Sequence, residues 1–322
     1  MIGKKSKVLI FLYLIFLVVL FLMCSTDLII REPEKEVYRV AVIIEDVRDD
    51  NYGNFRKGMD QAAIEFNADV QFITLYERLN AKGQMELMER EQQDGVDALI
   101  VVPVEEQRVT DALRENQVTV PAVILGTGSA KEETTGMITI DYRAMGANLA
   151  EKIKRNTAKD CPVVLVEDTG GKSEAGGSFL AGAAEVFEQS GYSCKLEEPK
   201  GEEASREMLK GLSEQGTVIV AGSPEALAET AAALEEDSSL SSRISGLYGR
   251  GNTLAILDDL DSGLITGLCV TDEFSRGYFS VCMAVGELEK ASTGKTMKMD
   301  SYYIEKKDLR EPKYEKMLFP VE

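Results

Sequence analysis

Apolar runs and amphipathic segments alternate along most of the chain. Residues 40–44 are continuously apolar, which is typical of a strand buried on both faces of a parallel sheet. Apolar residues then recur at helical spacing over 59–66 and predict an amphipathic helix. The same alternation predicts strands at 70–75, 99–102, 122–125, 137–140, 163–166, 218–220, 244–247, 264–270 and 301–304. It predicts helices at 81–93, 105–117, 145–153, 176–189, 224–236, 253–260 and 274–288.

Repeated strand–helix units predict open parallel sheets with right-handed crossovers. The strands fall into two successive runs, which favours two doubly wound lobes over one large sheet. A closed eight-stranded barrel is the rival architecture, and the uneven spacing of the strands argues against it. In open sheets of this kind, ligands bind at the carboxyl ends of the strands, and with two lobes in the cleft between them.

The N-terminal segment is apolar without interruption over residues 8–23, with lysines before it and glutamates after it. Extended to Ile30, it reaches the length of about 20 residues that a membrane span needs. The charges predict a cytoplasmic N-terminus and an extracytoplasmic body held at the cell membrane. We favour an uncleaved signal anchor over residues 1–30. Lipid attachment at Cys24 and cleavage of a signal peptide stay open, although the large side chain of Met23 argues against both.

Composition excludes several classes of function. The net charge of −19 disfavours nucleic acid as a partner, because an acidic surface repels phosphate backbones. The sequence contains no histidine, which removes the commonest general base and most zinc sites. We therefore expect no enzyme activity, no metal and no cofactor. An enzyme that acts through carboxylates such as Asp46 and Asp141 is the disfavoured alternative.

The cysteines do not form a metal or redox motif, because no two of them are spaced as CxxC. Cys161 and Cys194 lie near the starts of predicted strands. A disulfide between them is possible if those strands are neighbours, but free thiols are the favoured alternative.

Several stretches carry the motifs of one family. Residues 94–103 read DGVDALIVVP, and residues 38–64 place an apolar strand before a helix with an Arg-Lys-Gly turn. Further motifs lie at 140–146 and 261–277. Together they resemble the ribose/galactose type of periplasmic sugar-binding proteins, which are type I periplasmic binding proteins and the substrate-binding components of ABC sugar transporters. The resemblance covers residues 38–304.

The resemblance implies an α/β fold of two doubly wound parallel-sheet lobes, preceded here by one N-terminal membrane helix. The chain is expected to cross the hinge three times, near residues 141–143, 249–251 and 270–272. The expected domains are a linker at 31–37, lobe 1 at 38–141 plus 272–293, and lobe 2 at 142–271 plus 294–322.

The resemblance also implies capture of a small solute, a sugar or sugar-like molecule, for an ABC transporter permease or a two-component sensor kinase. The family's usual polar set has changed, so a ligand-free protein-interaction module that contacts such a kinase or transporter is the alternative. Arg250, predicted at the start of a helix, is placed to favour an anionic ligand. The candidate ligand-binding residues are Asp46, Asn51, Tyr52, Gly126, Asp141, Ser173, Phe179, Ser223, Tyr248, Arg250 and Thr271.

Overall fold

The computed structural model describes residues 4–25, 37–128, 134–167, 173–212, 216–237, 239–291 and 296–320. It divides into two units, Met1–Val37 and Tyr38–Glu322. The predicted linker at 31–37 and the side chain of Cys24 lie almost entirely outside the described residues, so the expectations about them stay predictions.

The N-terminal unit contains one helix, α1 (Lys4–Ser25). Its segment Ser6–Met23 has a mean hydropathy of 2.7 and is not buried. A helix that is apolar on every side must be covered by a protein core or by lipid. By length and composition, α1 could cross a membrane.

The body alternates strands and helices as predicted. In chain order its elements are β1 (Tyr38–Ile43), α2 (Gly53–Glu65), β2 (Ala68–Ile73), α3 (Ala81–Gln93), β3 (Ala98–Val101), α4 (Glu106–Arg114), β4 (Ala122–Gly126), β5 (Gly136–Ile140), α5 (Tyr142–Ile153), β6 (Val163–Val166), α6 (Glu174–Gln189), β7 (Cys194–Glu197), α7 (Gly201–Lys210), β8 (Thr217–Ala221), α8 (Pro224–Glu236), β9 (Ile244–Arg250), α9 (Leu254–Ser262), β10 (Gly267–Thr271), α10 (Glu273–Leu288), β11 (Thr296–Met299), β12 (Ser301–Ile304) and α11 (Pro312–Leu318).

The described strands form two six-stranded sheets. The first has the order β11-β5-β4-β3-β1-β2 and the second the order β12-β10-β9-β8-β6-β7. Neighbouring strands are parallel except for β12, which runs antiparallel to β10. Each sheet is covered on both faces by apolar clusters from its helices. These sheets confirm the predicted pair of doubly wound lobes.

One close helix pair recurs in both lobes. In lobe 1, a Cβ at Gly58 of α2 would overlap the carbonyl oxygen of Phe274 in α10, and Gly277 makes the reciprocal contact. In lobe 2, Gly146 of α5 and Gly182 of α6 form the same arrangement. The helix backbones touch at these crossings, so the positions require glycine.

The described elements change lobe at Asp141, Asp272 and Asp300, between β5 and α5, β10 and α10, and β11 and β12. The predicted crossing at 249–251 is wrong, because β9 and β10 are parallel neighbours in the second sheet. The third crossing comes later, since β11 pairs with β5 in the first sheet. Residues 296–299 therefore belong to lobe 1, not to lobe 2 as predicted.

The cysteines of the body are free thiols, so the possible Cys161–Cys194 disulfide does not form. The thiol of Cys161 donates instead to the carbonyl oxygen of Gly216 at 3.0 Å. The favoured expectation of free thiols is confirmed.

Gly58→Ala should lower the free energy of unfolding by about 3 kcal/mol, because a methyl group would force α2 and α10 apart. Gly53→Ala in the same helix is the matched control, since a Cβ there meets nothing within 4 Å. Denaturant unfolding followed by circular dichroism measures both. Equal stabilities of the two variants would contradict the requirement for close backbone contact.

Candidate functional site

A cavity of about 120 Å³ lies between the two lobes. Its walls come from the loops that follow the carboxyl ends of the strands, as expected for open parallel sheets. Most of the predicted ligand-binding residues line it, namely Asp46, Asn51, Tyr52, Gly126, Ser173, Ser223, Arg250 and Thr271. Arg250 is the last residue of β9 and not a helix start, because α9 begins only at Leu254.

The remaining candidates lie outside this cavity lining. Asp141 caps α5 by accepting from the amide of Ala144 at 3.0 Å, and it pairs with Lys298 at 3.3 Å. Phe179 is fully buried in the core of lobe 2. Tyr248 precedes the end of β9 by two residues, and it lines a separate groove on lobe 2.

The sequence reasoning missed most of the charged residues of the cavity. These are Glu45, Arg78, Glu174, Glu225, Glu273 and Arg276, together with the aromatic Tyr142. Each charged residue lies shortly after the carboxyl end of a strand, in a loop or in the first turn of a helix. Their position relative to the predicted strands is the signal that could have found them.

Glu225 links the two lobes directly. Its carboxylate forms an ion pair with Nη2 of Arg78 at 3.2 Å and also accepts a hydrogen bond from the side-chain amide of Asn51. Arg78 in turn donates from Nε to Asp46 at 2.7 Å. Glu225 lies in the first turn of α8, where Ser223 caps the helix and the helix dipole stabilises a negative charge. One side of the cleft is thus closed by contacts between protein side chains.

A second cluster lies where β10 passes into α10. Arg276 donates from Nη1 to Glu273 at 3.1 Å, and the hydroxyl of Thr271 donates to the same carboxylate at 2.6 Å. Burial opposes the positive charge of Arg276, but Glu273, Tyr142, Tyr52 and Glu45 together outweigh it and raise the pKa of the guanidinium. Arg276 therefore stays charged within the cavity wall.

Tyr52, which is buried, and Glu45, which is half-buried, form a pair beside this cluster. The hydroxyl of Tyr52 donates to Glu45 at 2.6 Å. Burial raises the pKa of Glu45, although the hydrogen bond from Tyr52 acts in the opposite direction. Burial also raises the pKa of Tyr52 well above its ordinary value.

Arg250 lies on the lobe 2 side of the cavity. Its Nε donates to the carbonyl oxygen of Gly222 at 2.7 Å, and its guanidinium carbon is 4.9 Å from the ring centroid of Tyr142. The side chain is thus held by a backbone carbonyl and a cation–π contact.

Glu225→Gln removes the charge that closes the cleft, so the lobes should part more often. Amide hydrogen exchange should become about ten-fold faster on both sides of the cleft, at residues 45–52 and 223–228. Glu235→Gln, an exposed position on the same helix, is the control. Faster exchange confined to residues 223–228 would mean that Glu225 supports only its own helix.

Glu45→Gln should change how stability depends on pH. Because burial raises the folded-state pKa of Glu45, its contribution to stability is present at low pH and is lost as pH rises through that pKa. The variant cannot lose a proton there, so its unfolding free energy relative to the parent should rise as the pH increases above the ordinary range of a glutamate carboxyl. Urea unfolding at several pH values measures this difference. For the exposed control Glu89→Gln, the difference in unfolding free energy from the parent should be the same at every pH. A difference that does not change with pH for Glu45→Gln would contradict the argument.

Comparison with known proteins agrees with this architecture. The sequence model of the periplasmic binding protein domain matches residues 40–292. No curated protein matches the chain by sequence.

Solved structures share the fold. A carbohydrate transporter solute-binding protein from Agrobacterium radiobacter, in complex with D-arabinose, has a TM-score of 0.76 and 17% identity over 88% of this chain and 99% of that chain. A glucose-galactose binding protein from Geobacillus stearothermophilus has a TM-score of 0.72 and 16% identity over 86% of this chain and 100% of that chain. An ABC transporter solute-binding protein from Bacillus halodurans with bound myo-inositol has a TM-score of 0.71 and 17% identity over 87% of this chain and 98% of that chain.

The identities to these structures are low, so this likeness concerns the fold alone. The family match is broader evidence, because it covers nearly all of the two-lobed body with its cleft. The chain therefore belongs to the periplasmic binding protein domain family and has the type I fold of that family.

Proposed function

We propose that this protein is an extracytoplasmic solute-binding protein that captures a sugar or sugar-like small molecule between its lobes. The observation that carries this proposal is the set of charged and hydrogen-bonding side chains that both lobes direct to one cavity. Buried polar groups need partners, and a bound polyol can supply them. Carboxylates, arginines and aromatic rings together are the groups that recognise hydroxyls and the apolar faces of sugars.

The neighbouring structures support the same class of ligand. Solute-binding proteins with this fold hold D-arabinose, α-D-tagatopyranose and myo-inositol. These ligands belong to those proteins, but all of them are polyols of similar size. We infer a solute of this size for the present cleft.

Binding would proceed by hinge motion without covalent chemistry. The cavity of about 120 Å³ is smaller than typical ligand pockets, which hold about 300 Å³ or more. A solute therefore reaches it only when the lobes part around the crossings at Asp141, Asp272 and Asp300. Closure then brings the Arg78–Glu225 contact together again and buries the solute.

The N-terminal helix would keep the receptor at the membrane. We infer that α1 is an uncleaved anchor with its lysines on the cytoplasmic side, so that the body faces outward. A tethered body of this kind would deliver its solute to an ABC transporter permease or report occupancy to a membrane sensor kinase.

One observation favours a second candidate function. Side chains of lobe 1 already contact Glu225 of lobe 2, and the enclosed volume is small. A body that is stable when closed on itself could act as a protein-interaction module for the same membrane partners.

Thermal unfolding of the full chain in detergent, with a library of monosaccharides, polyols, sugar acids and nucleosides, tests the proposal. A bound solute should raise the melting temperature as its concentration increases. At a concentration a hundred times Kd, the free energy of unfolding should be higher by about 2.7 kcal/mol. Glu273→Gln should abolish this shift, whereas Glu287→Gln, exposed on the same helix, should retain it. A folded protein that responds to no compound would contradict the solute receptor and support the interaction module.

A further inference from the structure

Four of the carboxylates that line the cavity accept hydrogen bonds or ion pairs from protein donors. Asp46 and Glu225 share Arg78, Glu273 accepts from Arg276 and Thr271, and Glu45 accepts from Tyr52. A ligand that mainly donates hydrogen bonds would have to displace these partners.

The buried polar atoms left without a partner at the cavity are donors. Among the described residues these are Nε of Arg276 and Nδ2 of Asn252. Arg276 is only 7% exposed, so water does not readily satisfy it. An unpaired buried donor is destabilising, and more so when the group is charged. Both groups gain if the ligand supplies an acceptor.

Arg250 adds a positive charge without a carboxylate partner. Its Nε is used by the carbonyl oxygen of Gly222, whereas its terminal nitrogens have no hydrogen bond or ion pair among the residues that the structure describes. The neighbouring thiol of Cys269 does not neutralise it, because burial raises the pKa of that thiol to about 12. The guanidinium therefore lines the cavity with its terminal nitrogens unpaired among the described residues.

Tyr142 connects the two arginines in space. Arg250 of lobe 2 lies over its ring, and the same tyrosine is among the groups that act electrostatically on Arg276 of lobe 1. The two guanidinium groups thus line the same cavity and come from opposite lobes. A ligand atom group bound there would touch both lobes and would favour closure.

We propose that the solute carries an anionic group, a carboxylate or a phosphate, which Arg250 and Arg276 bind between the lobes. This inference rests on the proposed function and narrows its ligand class from neutral sugars to sugar acids or sugar phosphates. Guanidinium groups bind both anions through paired hydrogen bonds, and these are stronger than bonds to neutral hydroxyls.

Isothermal titration calorimetry of the full chain in neutral detergent tests this with matched probes. Glucuronate is compared with glucose, galacturonate with galactose, and glucose 6-phosphate distinguishes phosphate from carboxylate. At least one anionic probe should bind ten-fold or more tightly than its neutral counterpart, in line with the greater strength of charged hydrogen bonds of about 1.5–3 kcal/mol.

Variants assign the preference to Arg250. Arg250→Gln should weaken binding of the anionic probe by about ten- to a hundred-fold. Arg250→Lys keeps the positive charge but lacks the planar guanidinium group, so it should bind the anionic probe more tightly than Arg250→Gln and less tightly than the parent protein. Arg155→Gln makes the same change of charge at an exposed position of lobe 2 and should have no effect. Thermal unfolding of each variant identifies any that fails to fold, and the probe comparison on the parent protein needs no variant.

The outcomes separate the two proposals. Neutral sugars that bind as tightly as their acids would overturn the anionic ligand and leave the solute receptor standing. An anionic preference that survives in folded Arg250→Gln would overturn the role of Arg250. If no probe of either kind binds the folded chain, both proposals fail.

Discussion

A parallel sheet that is covered on both faces leaves only the ends of its strands for polar side chains. Both sheets of this protein obey that constraint, since β3, β4, β5, β6 and β8 are buried along their whole lengths. Charged residues therefore collect in the loops beyond the carboxyl ends. Because the two lobes present these ends to each other, one cleft receives the polar groups of both.

Electrostatics within the cleft follow from how its charges are paired. Arg78 joins a carboxylate of its own lobe to Glu225 of the other, so closure needs no ligand to bring opposite charges together. Arg276 is held by Glu273 three residues before it, within one helical turn. Arg250 has no such partner. In the cleft, Arg78 and Arg276 are thus used in contacts within the protein, whereas the charge of Arg250 remains available to a ligand.

The two-lobed architecture could be predicted from the sequence because buried strands appear in it as continuous apolar runs. Sequence reasoning missed β11, whose residues Thr296–Met299 alternate polar residues with methionine at the edge of a sheet. That omission moved the third crossing to 249–251, where a β-strand, a helix and a parallel strand simply follow one another in lobe 2. Motif comparison found the loops of the cleft but not Arg78 or Arg276, although each of them comes shortly after the end of a strand. Phe179 was misplaced because its side chain packs into the core of lobe 2.

The crossings also determine the order in which the molecule can fold. Lobe 1 is assembled from residues before Asp141 and from α10 and β11, which follow most of lobe 2 along the chain. The glycine contact between α2 and α10 can form only after the intervening lobe has left the ribosome. During that interval the apolar face of β1, β3 and β4 lacks its covering helix, and such non-local closure is slow and prone to aggregation. Protection of this exposed face during synthesis is thus a requirement that the topology itself imposes.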